Sequence, residues 1–132
     1  MTRGSVRREV VIKRPADDVW AILGDPARVH EWFTGIQSCQ VDGNTRIVTT
    51  GSGLPMTEEI VTTDAIQRRF QYRITAGVFK EHLSTIDVID LGDDTCVAVY
   101  AADADPATMA LIIAGAAGSA LLELRDRLEG AY

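Results

Sequence analysis

Four side chains in this sequence carry the chemistry of proton transfer. Glu58 sits in the stretch Met56 to Thr63, which reads as a strand. A carboxylic acid held in an apolar pocket has a raised pKa and can serve as acid or base. His82 and Asp103 face each other if the last hairpin turns at Gly92-Asp93. That two-residue turn pairs Leu91 with Asp94, Val88 with Val97, Ile86 with Val99, Ser84 with Ala101 and His82 with Asp103. A histidine beside a carboxylate is a general-base arrangement, because the carboxylate orients the ring and raises its pKa. Tyr72 adds a hydrogen-bond donor. Such a set suits ring closure or dehydration of an enolisable substrate. Three of the four also have a plain structural reading: His82 as a rim or hydrogen-bonded histidine, Asp103 as a strand end or helix cap, and Glu58 as the partner of Arg73 or another arginine.

Which glutamate points inward depends on one turn. Phe70, Tyr72 and Ile74 alternate with Arg69, Gln71 and Arg73, so the first set faces the core. A turn at Asp64 to Ile66 pairs Thr63 with Gln67 and Glu58 with Tyr72, which places Glu58 inside. A turn one residue longer flips the phase and places Glu59 there instead.

The elements that must position these residues are marked by prolines and by alternation. Val6, Val10 and Ile12 alternate with charged residues, predicting a strand over 5–13. Pro15, Pro26 and Pro106 stand where helices start, two of them after aspartate, and predict short helices at 15–23 and 26–33 and a long one at 106–129. Between them, Ile36 to Val41, Thr45 to Thr50, Met56 to Thr63, Gln67 to Thr75, Glu81 to Leu91 and Thr95 to Ala102 read as strands, with Asp42-Gly43-Asn44 a strong hairpin signal. Short connections imply an antiparallel meander. The whole is an α+β fold in one domain, residues 1–132: a seven-stranded sheet, two short helices after its first strand, and a long C-terminal helix. A sheet of that width must curl. The helix facing it is lined with Ala107, Ala110, Ala114, Ala117 and Gly118. Small side chains there either leave a cavity or bring helix and sheet into close contact.

Composition narrows the field. At 132 residues and 46% hydrophobic, the chain has core enough without a metal or disulfide. Its net charge of −6, with arginines scattered singly or in pairs, argues against nucleic acid as a partner. Two distant cysteines, Cys39 and Cys96, read as free thiols of a reducing, cytoplasmic compartment, and the N-terminal stretch lacks the apolar core of a signal peptide. The sequence has no GxSxG, Gly-rich phosphate loop or HExxH, and its two histidines do not stand at ligand spacing with a cysteine, so no metal and no nucleotide cofactor are expected. Residues 107–122 carry no charge. That run is short for a stable membrane span and apolar on every side, which predicts burial all round, with a second copy of the chain or a ligand-gated patch on the face the sheet cannot cover.

The segment VVIKRPADDVWAILGDPARVHEWFTGI, with Val19-Trp20 after Pro15, Asp25-Pro26, and Trp32 before Gly35, resembles the START-related superfamily called SRPBCC, in its polyketide cyclase/dehydrase and lipid-transport branch. Glu58 with Ile60, the Phe70-x-Tyr72-x-Ile74 pattern and the last helix extend the likeness over nearly the whole chain. The resemblance implies a helix-grip fold, in which a curved antiparallel sheet wraps a long C-terminal helix around a pocket, and it favours Glu58 over Glu59 as the inward residue. A fold of this kind hosts many functions.

On these grounds the expected ligand-lining residues are Trp32, Phe33, Phe70, Ile74, Ile86, Val99, Ala110, Ala114 and Ala117, and the expected acid–base set is Glu58, His82, Asp103 and Tyr72. The first functional reading is binding of a small hydrophobic ligand of lipid, polyketide-like or isoprenoid type. The second is a cyclase or dehydratase, and the third an interaction module dimerising through the apolar helix. The short loop from Ala76 to Lys80 argues against a large ligand needing long closing loops.

Overall fold

A computed structural model of the chain describes residues 2–75 and 77–130. Strand β1 (Gly4–Ile12) leads into α1 (Ala16–Leu23), a 3₁₀ turn (Pro26–Arg28) and α2 (Val29–Trp32). Six strands follow: β2 (Ile36–Asp42), β3 (Thr45–Thr50), β4 (Pro55–Asp64), β5 (Arg69–Ile74), β6 (Glu81–Gly92) and β7 (Thr95–Asp105). The chain then enters α3 (Ala107–Leu128). All seven strands form one antiparallel sheet in the order β1-β7-β6-β5-β4-β3-β2, so β1 closes on β7 and the rest is a meander. Ala76, the first residue of the expected β5–β6 loop, lies outside the described residues.

The prolines act at the helix starts, Pro26 as expected and Pro106 one position earlier than expected. Asp25 accepts the amide of Ala27 at 2.9 Å and Pro26 opens the 3₁₀ turn, an ordinary capping arrangement. Asp105 instead ends β7, the Asp105-Pro106 bond is cis, and Pro106 itself precedes the first turn of α3.

Two layers make the core: the concave face of the sheet and the inner face of α3. Ala110, Ala114, Ala117 and Ala120 are fully buried, and with Leu121 and Leu124 they form the helix's inner stripe. Of the two outcomes that small residues allow, close contact is the one realised along this stripe. A Cβ placed on Gly4 would stand 3.0 Å from the carbonyl oxygen of Ala107, and one on Gly118 would stand 3.0 Å from Arg8 Cγ. The far end of α3 is tied to the end of β1, where the Arg14 guanidinium donates to the Leu128 carbonyl at 2.8 Å and the Lys13 amide to Glu129 Oε2 at 2.8 Å.

By length and composition α3 is long and apolar enough to cross a membrane, but its alanine stripe is packed on the sheet. The expected burial on every side is not met within the chain: Leu111, Ile112 and Leu122 are exposed, because one sheet covers only one face of a helix.

Candidate functional site

Strand register decides which side chains reach the space between sheet and helix. The β4–β5 turn holds four residues, Ala65 to Arg68, with Asp64 opposite Arg69. Asp64 Oδ1 sets it by accepting the amides of Ile66 and Gln67 at 3.0 and 3.1 Å. Taken alone, that turn would send Glu59 inward. A one-residue bulge at Val61 reverses the phase again, so Glu58 pairs with Ile74 rather than Tyr72 and does point inward.

The β6–β7 hairpin departs from expectation more seriously. Its turn is Asp93-Asp94, both with positive φ, and Gly92 is opposite Thr95. Gly92, with φ 83° and its amide held by Asp90 Oδ1 at 2.8 Å, follows a bulge at Leu91. The register therefore moves by one, and Ile86 lies opposite Tyr100. Val88 and Ile86 remain inward and buried, but their partners are Ala98 and Tyr100. Val99 is on the outer face of the sheet, in a trough of about 540 Å³ floored also by Val97 and Ala101, whose rim charges are already paired as Arg7–Glu9 and Arg69–Asp87. Asp103 lies opposite Leu83 on that outer face, and His82 opposite Ala104, so the expected His82–Asp103 pair does not form.

The inner space is a cavity of about 320 Å³ between β2–β5, the α2–β2 connection and α3. Phe33, Met56, Ile74, Ile113 and Tyr72 wall it, Glu58 is its one ionisable carboxyl, and exposed Ile112 and Ala116 stand at its mouth. Of the expected lining, Phe33 and Ile74 are in place. Phe70 and Ile86 are buried in the core beyond it. Trp32 backs the wall, its ring centroid 5.2 Å from Phe33 and 6.4 Å from Tyr100. Ala110, Ala114 and Ala117 are packed against the sheet, and the cavity opens instead on the next helix face, at Ile112, Ile113 and Ala116.

Glu58 is 3% exposed and is held by Arg46, which is 1% exposed and directly opposite on β3. Arg46 Nε and Nη2 both reach Glu58 Oε1, at 2.7 and 2.6 Å, and Nη1 donates to the Pro26 carbonyl at 3.1 Å. The guanidinium also lies over the rings of Tyr72 (4.8 Å) and Phe70 (5.3 Å). Burial pushes the Glu58 carboxyl above its ordinary value, and the charge and hydrogen bonds of Arg46 pull against that push. Among the described residues no donor reaches Oε2, and no buried polar side-chain atom there is left unpartnered, so Oε2 keeps its contact with the open space of the cavity.

Behind Tyr72 runs a buried polar chain. The Ile74 amide donates to His82 Nδ1 at 2.8 Å, which fixes the neutral ring with its proton on Nε2, donated to Ser84 Oγ at 2.8 Å. The Tyr100 hydroxyl donates to the same Ser84 Oγ at 2.9 Å. Tyr100 has one proton, so in its contact with the Tyr72 hydroxyl it is Tyr72 that donates. Burial, with Arg73 adding to it against a smaller opposing pull from Asp103, lowers His82 from 6.5 to about 4, the reverse of the expected carboxylate-raised base. Burial, then the Glu58 charge, raises Tyr72 to about 12, and burial also lifts Tyr100 well above its usual range. His82 is thus a neutral anchor of this chain.

Sequence reasoning missed Arg46 and Tyr100. Arg46 shares the inward phase of Val48 on β3, but adjacent Ile47 and Val48 put an apolar side chain on each face there, so alternation did not mark it. Tyr100 was hidden because β7 carries apolar residues on both faces.

The family described as polyketide cyclase/dehydrase and lipid transport matches residues 3–129. The chain belongs to this family. No curated protein matches it. Among solved structures, an uncharacterised protein from Bacillus thuringiensis superposes with TM-score 0.86 at 19% identity, over 94% of this chain and 98% of that one. A Thermobifida fusca protein gives TM-score 0.77 at 25% identity, over 95% of each chain. Norcoclaurine synthase from Thalictrum flavum, in complex with dopamine and hydroxybenzaldehyde, gives TM-score 0.66 at 17% identity, over 92% of this chain and 87% of that one. These likenesses establish the helix-grip fold for this member of the polyketide cyclase/dehydrase and lipid-transport family.

Proposed function

We propose that the protein binds a small, largely apolar molecule in the cavity between β2–β5 and α3, with the molecule's polar end at Glu58 and Tyr72. One observation carries this reading: a buried carboxylate keeps one oxygen clear of every described protein donor and exposes it to a largely apolar space. A buried charge is costly unless it is paired and hydrogen-bonded. Arg46 satisfies Oε1, and a ligand donor on Oε2 would complete the set. The cavity is at the small end of ligand sites, which suits a molecule of one or two rings or a short chain. That a structural neighbour is known with dopamine and hydroxybenzaldehyde supports a ligand of this size.

The same oxygen supports a second reading, a cyclase or dehydratase. Glu58, lifted by burial, would take a proton from the bound molecule through Oε2 and return it at another carbon or oxygen. His82 and Asp103 have no part in that chemistry, since neither lines the cavity. Native mass spectrometry of gently purified protein and NMR titration with 2-methylnaphthalene test the binding reading. Shift changes are expected at Met56, Ile74, Ile112 and Ile113, to be abolished by Ala116→Trp at the mouth and kept in Val99→Trp on the outer face. Shifts confined to the outer trough would overturn it.

A further inference from the structure

We infer that the cavity selects for ligands whose polar group is an uncharged hydrogen-bond donor, an alcohol or a phenol, and against carboxylates and plain carbonyls. The inference rests on the binding reading above and names the class of molecule that reading leaves open.

The argument is a proton count over the polar side chains that line the cavity: Thr34, Thr50, Glu58 and Tyr72. The Thr34 hydroxyl donates to Glu123 Oε2 at 2.8 Å. The Thr50 hydroxyl donates to the Leu54 carbonyl at 3.3 Å and meets Ser52 Oγ at 2.9 Å. Tyr72 donates to Tyr100, whose own proton is committed to Ser84. Glu58 offers Oε2 as an acceptor and has no proton to give while ionised. Arg46, the cation paired with Glu58, does not line the cavity, and its three nitrogens are directed at Glu58 Oε1 and the Pro26 carbonyl. Each lining hydroxyl has therefore spent its proton on the protein, and the polar side chains present lone pairs only.

At the buried Glu58–Tyr72 end, a ligand group that only accepts would set lone pair against lone pair in a desolvated space, and a carboxylate would add like charge beside Glu58. A ligand O–H has a ready acceptor in Oε2, and a hydrogen bond to a charged acceptor is stronger than a neutral one. An ammonium would also donate. The Arg46–Glu58 pair is already neutral, however, so an ammonium would leave a net positive charge in the cavity, whereas a neutral hydroxyl leaves none.

The direction of the Tyr72 proton depends on Tyr100 and Ser84, neither of which lines the cavity. Both are positioning residues in this scheme. Removing the Tyr100 hydroxyl takes away the acceptor of the Tyr72 proton and leaves that proton to be shared between Ser84, opposite on β6, and the cavity.

The test uses one ring system with four substituents: 2-methylnaphthalene, 2-naphthol, 2-naphthoate and 2-acetylnaphthalene, titrated by calorimetry or NMR at pH 7. The wild-type protein is expected to bind 2-naphthol roughly tenfold or more tighter than 2-methylnaphthalene, and the naphthoate and the ketone more weakly than the hydrocarbon. Tyr100→Phe is expected to improve the ketone by several-fold without improving the naphthol, a change that mere loosening of the core would not produce. Glu58→Gln is expected to erase the preference for the naphthol; should that variant fail to fold, Tyr100→Phe still decides. If the hydrocarbon binds and the naphthoate or ketone matches the naphthol, the proton assignment is wrong and this inference falls alone. If none of the four binds, the cavity reading falls with it.

Discussion

His82 should act as an acid-labile element of stability, and the size of the effect follows from its surroundings. The ring is 2% exposed, accepts the Ile74 amide on Nδ1 and donates from Nε2 to Ser84. Protonating Nδ1 would break the first bond and place a cation in the core. With the folded-state value at about 4 against an ordinary 6.5, the unfolded chain binds a proton that the folded chain refuses throughout that interval. Stability from this residue is complete above pH 6.5 and is lost as pH falls toward 4. At 1.36 kcal/mol per pH unit, the loss is roughly 3 kcal/mol, a large part of the 5–15 kcal/mol typical of a domain. Urea denaturation from pH 7 to pH 4.5 in about 0.15 M salt, which screens the surface ion pairs, should show the wild type losing most of that amount. His82→Asn keeps an acceptor for the Ile74 amide, falls short of Ser84, and cannot titrate. It should lose less over the same range, and Glu58, common to both proteins, cancels in the difference. Parallel stability curves for the two proteins, or a His82 imidazole that titrates near 6.5 by NMR, would refute the reasoning.

Three other outcomes are expected. Arg46→Met strands the Glu58 charge in the core and should cost about 3–5 kcal/mol, most of it recovered in the double variant Arg46→Met/Glu58→Met; a single-variant cost below about 1 kcal/mol in the same urea assay would show that the pair is not buried as described. Gly115→Ala meets no atom within 4 Å on the exposed side of α3 and should stabilise by about 0.5–1 kcal/mol, read as a rise in Tm; a fall would mean that this face is covered. Ala114→Leu, in the fully buried stripe on the sheet, should destabilise by about 1–3 kcal/mol or more, and a neutral result would mean that the space between helix and sheet is not filled there.

The element order was legible in the sequence because its signals are local. Prolines marked the helix starts, and alternation with turn residues marked the strands. The side-chain facings were harder, since they depend on single residues inside hairpins. On β5, Arg69, Gln71 and Arg73 against Phe70, Tyr72 and Ile74 left no ambiguity. On β7, Val97, Val99 and Ala101 on one face are as apolar as Ala98 and Ala102 on the other, so pattern could not arbitrate, and the bulge at Leu91 decided it. That single residue moved Tyr100 into the core and Val99 and Asp103 out of it. Glu58 does point inward, through a turn and a bulge that the alternation did not foresee, and Arg46 was hidden because Ile47 and Val48 put an apolar side chain on each face of β3 and because arginine is rarely a buried residue.

The Val61 bulge and the Ala65 to Arg68 turn have a consequence for how this protein can change over time. Val61 has no partner on β5, and the pairs on either side of it keep their facings with or without it. Deleting Val61 would leave Thr63 opposite Phe70 and Glu58 opposite Ile74, so the acid would stay in the cavity; a turn shortened by one residue that keeps Asp64 opposite Arg69 would do the same. A deletion of Glu59 would instead shift Glu58 by one position and turn it out to solvent. When relatives of this chain are aligned, a one-residue gap at residue 61 or in the turn would leave the inward acid where it is, whereas a gap between residues 58 and 60 would mark a protein that has lost it.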